Sequence, residues 1–131
     1  MSRPSVRPRE RGSASLALLV MFLVLFLAVG LVFDGGEVLA TRRRVITAAE
    51  SSARLAADRA DPFSGRLDRT VARAAVDGYV ASLDGLAVLD VRVVGTRVEV
   101  TLRATAPEVF FPMAGLAPAV VTETGSAEVR R

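Results

Sequence analysis

The chain has 131 residues, with 17 basic and 14 acidic side chains and a net charge of +3. It contains no cysteine, histidine or tryptophan, and every basic residue is an arginine. These absences exclude disulfide bonds, thiolate or imidazole metal sites, and nucleophile systems built on cysteine or histidine.

Residues 1–12 form a basic N-terminal tail. They include two prolines and four arginines and almost no apolar side chain, a composition that predicts disorder. By the positive-inside rule these arginines favour a cytoplasmic N-terminus. Arg42, Arg43 and Arg44 follow beyond the next segment, so charge alone favours that orientation by only four arginines against three.

Residues 13–33, here called the apolar segment, carry no charge between Arg11 and Asp34. At about 1.5 Å per helical residue the segment covers roughly 30 Å, the thickness of a bilayer's hydrocarbon core. It is apolar on every face, unlike a typical core helix, and it exceeds the roughly 7–15 residues of a signal-peptide apolar region. We predict an uncleaved single membrane span, followed by a small extracytoplasmic domain at residues 34–131.

The next helical pattern covers residues 37–60. Asp34-Gly-Gly-Glu37 has the spacing of a capping box that would start a second helix, although the two glycines are equally consistent with a kink inside one long helix. Charged residues line one face of this amphipathic pattern. The other face holds small residues that allow close approach of a helix or sheet, and we predict a helix-packing interface there: Ala49, Ala53, Ala56 and Ala60.

Asp61-Pro62 predicts the end of that pattern, because proline removes a backbone donor. Asp68 is placed to cap another amphipathic helix with an apolar face, which Asp84-Gly85 would end.

Residues 88–103 alternate in polarity around Gly95-Thr96, which predicts a hairpin with a two-residue II′ turn. The predicted register pairs apolar residues on one face: Val93 with Val98, Val91 with Val100, and Leu89 with Leu102. Polar pairs fall on the other face: Arg92 with Glu99, and Asp90 with Thr101. One register therefore satisfies both faces.

Residues 105–118 form an apolar connection broken by prolines. Its residues Phe110, Phe111 and Met113 are consistent with either core packing or an exposed docking patch. A third, weaker strand is predicted at residues 119–129, where Glu123 interrupts the alternation.

Four segments occur in a fixed order: Glu10-Arg-Gly12 before the apolar segment, Asp34-Gly35, residues 44–57, and the proline-aromatic linker before the last strand. Together they resemble the TadE/TadG-like proteins of the Tad (Flp) pilus assembly system, small pilin-like membrane proteins of bacterial envelopes. The resemblance is best over residues 10–60. It implies an extracytoplasmic C-terminal domain, a processing junction of the prepilin-peptidase type between Gly12 and Ser13, and pilus or secretion assembly proteins as partners.

One position departs from that family. Processed pilin-like members usually carry glutamate at the fifth position after the scissile glycine, and this chain has Ala17 there. It therefore lacks the carboxylate that would pair with the freed amino terminus of a neighbouring subunit. We expect a minor or priming subunit, or a monomeric anchor, rather than the main subunit of a long polymer.

The predicted fold class is α+β and pilin-like, with an N-terminal transmembrane helix, two amphipathic helices and a small antiparallel sheet built on a hairpin. The acidic residues fall at capping, salt-bridge and strand-surface spacings, and there is no phosphate-binding loop. We predict a structural or interaction protein of the cell envelope rather than an enzyme, with no cofactor, metal, nucleic acid or small-molecule substrate. The alternative is a signal-anchored extracytoplasmic binding module unrelated to pili.

Overall fold

A computed structural model describes residues 11–61 and 63–129 of the chain. Its helices and strands follow in this order: α1 Arg11–Ala57, α2 Arg69–Val80, β1 Leu86–Val94, β2 Arg97–Thr105, α3 Phe110–Met113 and β3 Val120–Glu128. The class is α+β, as predicted. The predicted proline stop at position 62 lies outside the described residues.

Helix α1 is continuous over 47 residues and joins the apolar segment to the amphipathic pattern. Of the two arrangements that the sequence allowed at Gly35-Gly36, the structure has the single long helix. Each glycine disfavours a helix by about 1 kcal/mol relative to alanine. The segment on each side outweighs that cost, since one is uniformly apolar and the other packs against the sheet. Asp34 therefore does not cap a second helix.

The sheet has three antiparallel strands in the order β1-β2-β3. The predicted hairpin is present: Val94 pairs with Arg97 across the turn, and Gly95 has φ of 61°. Thr96 has no positive φ, so the turn has the pattern of type II′ rather than type I′.

One predicted pair is wrong. Leu102 pairs with Val88 instead of Leu89, because the register shifts between Val88 and Asp90. Such a bulge inserts one extra residue into a strand. As a result, Leu89 does not face the core and 45% of its surface is exposed. The pairs nearer the turn have the predicted register.

The two faces of the sheet differ in chemistry. Polar side chains cover one face, where the Thr101 and Thr124 hydroxyls lie 2.8 Å apart. On the other face the C-terminal half of α1 and helix α2 bury apolar residues of the strands. The largest fully buried apolar side chains of this core are Val45, Val76, Val91, Val98, Val100 and Leu102.

Gly125 of β3 sets how closely α1 approaches the sheet. A Cβ at this position would lie 2.7 Å from the carbonyl oxygen of Ala49 and even closer to the backbone nitrogen of Glu50. Only a residue without a side chain fits between the strand and the helix backbone. Small residues on both elements therefore allow a backbone-to-backbone contact.

Helix α2 begins where the sequence predicts. The Asp68 carboxylate accepts a hydrogen bond from the Thr70 N–H at 2.7 Å, and Ala72, Val76 and Val80 form the buried face. The helix ends at Val80, before the predicted stop at Asp84-Gly85, and a turn completes the connection to β1.

Glu123 lies on the helix-facing side of β3, where its charge interrupts the apolar alternation. Arg42 of α1 donates to its carboxylate at 2.6 Å. Two residues along the helix, Arg44 donates to the carbonyl oxygen of Asp84 at 2.6 Å. Arginines just beyond the apolar segment thus attach α1 both to β3 and to the turn before β1.

Candidate functional site

The predicted processing junction lies in the first turn of α1. The helix begins at Arg11, so the peptide bond between Gly12 and Ser13 is already in helical conformation. The rest of the predicted basic tail, residues 1–10, lies outside the described residues. Ala17, at the position where a processed pilin carries glutamate, is exposed on the surface of α1.

The predicted alanine interface is occupied by the protein's own domain. Ala49, Ala53 and Ala56 have no exposed surface and belong to the core between α1, α2 and the sheet, and Ala60 packs against the edge of that core. At Ala49 the element that approaches closely is β3 of the same chain. A second chain could reach these residues only if the domain opened.

Asp34 forms the principal polar site where the apolar segment ends. Its carboxylate accepts three backbone hydrogen bonds: from Val109 at 3.1 Å, from Phe110 at 2.8 Å and from Phe111 at 2.7 Å. The residue is fully buried. Because the first N–H groups of a helix have no partners within it, a carboxylate there supplies the missing acceptors.

The cap of α3 is therefore provided from 75 positions away in the chain. Val109, the residue that precedes α3, makes no side-chain capping bond of its own. The sequence signal at Asp34 indicated a cap for its own helix, and nothing local pointed to α3. Only the combination of a carboxylate at the end of an apolar run with a distant apolar turn could have suggested this pairing.

A notch at Gly30 receives the ring of Phe110. Gly30 is the one buried residue of the apolar segment, and a Cβ there would lie 2.5 Å from Cδ1 of Phe110. The Phe110 ring meets Phe26 and Phe33 edge to face, with centroid distances of 5.5 and 6.3 Å. Such aromatic pairs contribute about 0.5–1.5 kcal/mol each beyond area burial.

The other apolar side chains of the connection around α3 are only partly buried. Phe111 is half-buried, whereas Met113 and Leu116 expose 77% and 57% of their surface. Of the two interpretations of this region, core packing fits Phe110, and exposure fits Met113. An apolar groove of about 260 Å³ lies between α1 and the connection around α3. It is lined by Leu27, Ala28, Leu31, Phe111, Ala114 and Leu116.

Hydrogen bonds join the two ends of this connection to each other. Ala106 donates its N–H to the carbonyl of Ala119 at 2.9 Å. The Ala119 N–H in turn donates to both carboxylate oxygens of Glu108 at 3.1 Å. Residues 107–118, here called the α3 loop, are thus fixed at the base by the sheet and at the tip by Asp34 and Gly30.

Within the described residues, histidine, cysteine, aspartate and glutamate form no group of three or more that could hold a metal ion. The same part of the chain has no buried side-chain polar atom without a hydrogen-bond partner. The Asp34 carboxylate holds the α3 loop to α1.

Residues 12–59 match the family model of Tad, Flp pilus-assembly TadE/G-like proteins. The resemblance inferred from the sequence is confirmed over this segment. The match ends two positions after α1, so it covers the helix and leaves the sheet and the α3 loop outside. No curated protein and no solved structure matches the chain.

The two halves of α1, both inside the matched segment apart from Arg11, differ in what they contribute. The first half is long and apolar enough to cross a membrane once, with a mean hydropathy of 3.2 in its most apolar window. The second half supplies the core surface on which the sheet is built. The match supports a role related to pilus assembly and the association of such a helix with a membrane.

Proposed function

We propose that the protein is a single-pass, membrane-anchored component of a bacterial pilus or secretion assembly, a TadE-like pseudopilin or assembly protein. The observation that carries the proposal is the coincidence of the family match, residues 12–59, with α1. That helix combines the anchor and the scaffold of the domain in one element. Its partners would be other assembly proteins of the envelope, and its role is structural rather than catalytic.

In the proposed topology the N-terminal tail is cytoplasmic, residues 13–33 span the membrane, and residues 34–131 are extracytoplasmic. The arginines before the apolar segment support this orientation, and two of the three after it are engaged by the domain: Arg42 pairs with Glu123 and Arg44 with the Asp84 carbonyl. A reporter active only outside the cytoplasm, fused after Arg131, tests the orientation. Activity of a cytoplasmic reporter at the same position would refute it.

The role in assembly is tested by deleting the gene in a piliated host. We expect loss of pili, and restoration by the full chain but not by a variant lacking residues 13–33. Unchanged piliation would favour the alternative of an anchored binding module unrelated to pili.

The absence of a carboxylate at Ala17 supports a minor or priming subunit, or a monomeric anchor. Cleavage after Gly12 would create a new amino terminus at Ser13, and position 17 of a neighbouring subunit would present alanine to it instead of glutamate. N-terminal sequencing of the membrane-extracted protein shows whether the chain begins at Ser13 or retains its tail. Purified pili that contain this chain as their main repeating subunit would contradict the minor role.

A further inference from the structure

We propose that the α3 loop inserts into the bilayer leaflet on the side of the C-terminal domain, where it acts as a second membrane contact beside α1. The inference rests on the proposed membrane span of residues 13–33 and adds a lipid-facing surface outside that span. It follows from where the loop contacts α1, from the internal hydrogen bonds of its N–H groups around the α3 turn and from its exposed apolar side chains.

The position of the loop along α1 sets its depth. Phe110 contacts Phe26, Gly30 and Phe33, all inside the apolar segment. Phe26 precedes Asp34 by eight positions, which is about 12 Å along a helix. If residues 13–33 occupy the hydrocarbon region, the Phe110 ring lies below its edge and the residues around it face acyl chains.

Six N–H groups of the loop have hydrogen-bond acceptors within the protein. Lipid offers no hydrogen-bond partners, so N–H groups at that depth must be satisfied internally. The three N–H groups at the start of the α3 turn donate to Asp34. Those of Ala114, Gly115 and Leu116 donate to carbonyls of the α3 turn at 2.9–3.1 Å, and Pro112 has no N–H.

The side chains of the α3 loop are also suited to contact with lipid. No charged residue occurs between Glu108 and Glu123. Val109, Met113 and Leu116 expose 54%, 77% and 57% of their surface, and the groove beside Leu27 and Leu31 is continuous with the apolar surface of α1. The exposed face of the sheet is polar by contrast. Lipid is the occupant that fits, because this apolar surface adjoins the predicted span.

The absence of cysteine allows a direct depth measurement. Single-cysteine variants Met113→Cys, Val94→Cys and Leu23→Cys are labelled with an environment-sensitive fluorophore and reconstituted in phosphatidylcholine vesicles. Val94 is the matched control, an apolar residue 63% exposed at the turn end of the sheet, away from α3. Leu23 reports on the span itself.

For positions 113 and 94 the lipid carries its spin label near the headgroup end of the acyl chain; for position 23, at the middle of the apolar segment, it carries the label near the methyl end. The label at position 113 should lose most of its fluorescence, while the label at position 94 keeps it. Iodide in the buffer should quench the label at position 94 and leave the label at position 113 largely unquenched. If position 23 is quenched by lipid but position 113 only by iodide, the loop faces water and the inference fails while the span stands. If position 23 also escapes lipid quenching, the span fails and the inference with it.

A second copy of the chain is the competing occupant. In that case the label at position 113 would be shielded from both quenchers, and Met113→Cys would form disulfide-linked dimers in the vesicles. That result would also overturn the lipid assignment.

Discussion

Gly125 of β3 lies directly against the backbone of Ala49 in α1, with no room for a Cβ between them. Because of this contact, the backbone of β3 fixes how closely the long helix α1 packs against the sheet. The contact also explains why the face of α1 near it consists mainly of alanines, since larger side chains would hold the two backbones apart.

We expect Gly125→Ala to destabilise the domain by about 1–3 kcal/mol, because the added methyl group meets helix backbone that cannot rotate away. Chemical unfolding in detergent, followed by circular dichroism, measures the change. Gly78→Ala is the matched control, since a Cβ there meets nothing within 4 Å on the surface of α2. That control should gain about 0.5–1 kcal/mol from better helix propensity, and equal effects at both glycines would contradict the close contact.

Enlarging the buried alanines should damage folding. Ala53→Leu and Ala56→Leu each place three extra carbons where no surface is exposed, and such overpacking costs about 1–3 kcal/mol per site. The melting temperature of the purified protein in detergent should fall for each variant. Ala40→Leu, on an exposed face of the same helix, should leave it nearly unchanged. A double leucine variant as stable as the parent would show that these alanines are not packed inside the domain.

Removing the Asp34 carboxylate should release the α3 loop from α1. In Asp34→Ala the N–H groups of Val109, Phe110 and Phe111 lose their acceptor, so the peptide covering residues 106–118 should exchange hydrogen at least about tenfold faster. Asp58→Ala, at an exposed position just after the same helix, is the control and should not change the exchange of this peptide. Unaltered exchange in Asp34→Ala would mean that the loop is held without its cap.

A smaller residue in place of Phe110 should weaken the docking of the α3 loop on α1 while the Asp34 cap remains in place. Phe110→Ala removes the ring that fills the Gly30 notch and contacts Phe26 and Phe33. We expect a loss of about 1–3 kcal/mol, below that of a fully buried phenylalanine because this residue is only partly buried. Val109→Ala, at an exposed neighbour, is the control for the loop itself. Equal stability of the two variants in detergent would refute the docking of Phe110.

The stability of α2 should depend on the ionisation of its cap. Hydrogen bonds from the Thr70 hydroxyl and N–H hold the pKa of the Asp68 carboxyl below its usual value of 3.8. A carboxyl with a lowered pKa stabilises the folded state above its unfolded pKa, and that stabilisation disappears as the pH falls through its folded pKa. The side-chain amide of an Asp68→Asn variant still accepts a hydrogen bond but does not titrate.

The parent should therefore lose stability relative to Asp68→Asn as the pH falls from about 5 to below 3.8. Urea unfolding of both proteins across this range, in the same detergent, gives the difference directly. A difference that does not change with pH would show that the ionised cap contributes nothing.

Local patterns predicted much of this fold, and non-local contacts account for the differences. The hairpin followed from alternation around Gly95-Thr96, and the cap of α2 from Asp68, because each signal lies within a few residues of its effect. The bulge at Leu89 did not follow, since strict alternation assigns that leucine to the apolar face. Nothing near Asp34 or Gly30 in the chain indicates Phe110, because that pairing exists only once α1 and β2 have brought distant segments together.

The unbroken course of α1 has a mechanical consequence. Forty-seven residues of helix form a rod of about 70 Å, and the sheet and α2 are built onto its far end. When this helix tilts, the whole domain moves with it. A force applied to the domain likewise exerts a torque on the apolar segment at the other end of the helix. Such a rod would transmit force between a partner outside the membrane and one within it, with no joint at Gly35-Gly36 to absorb the motion.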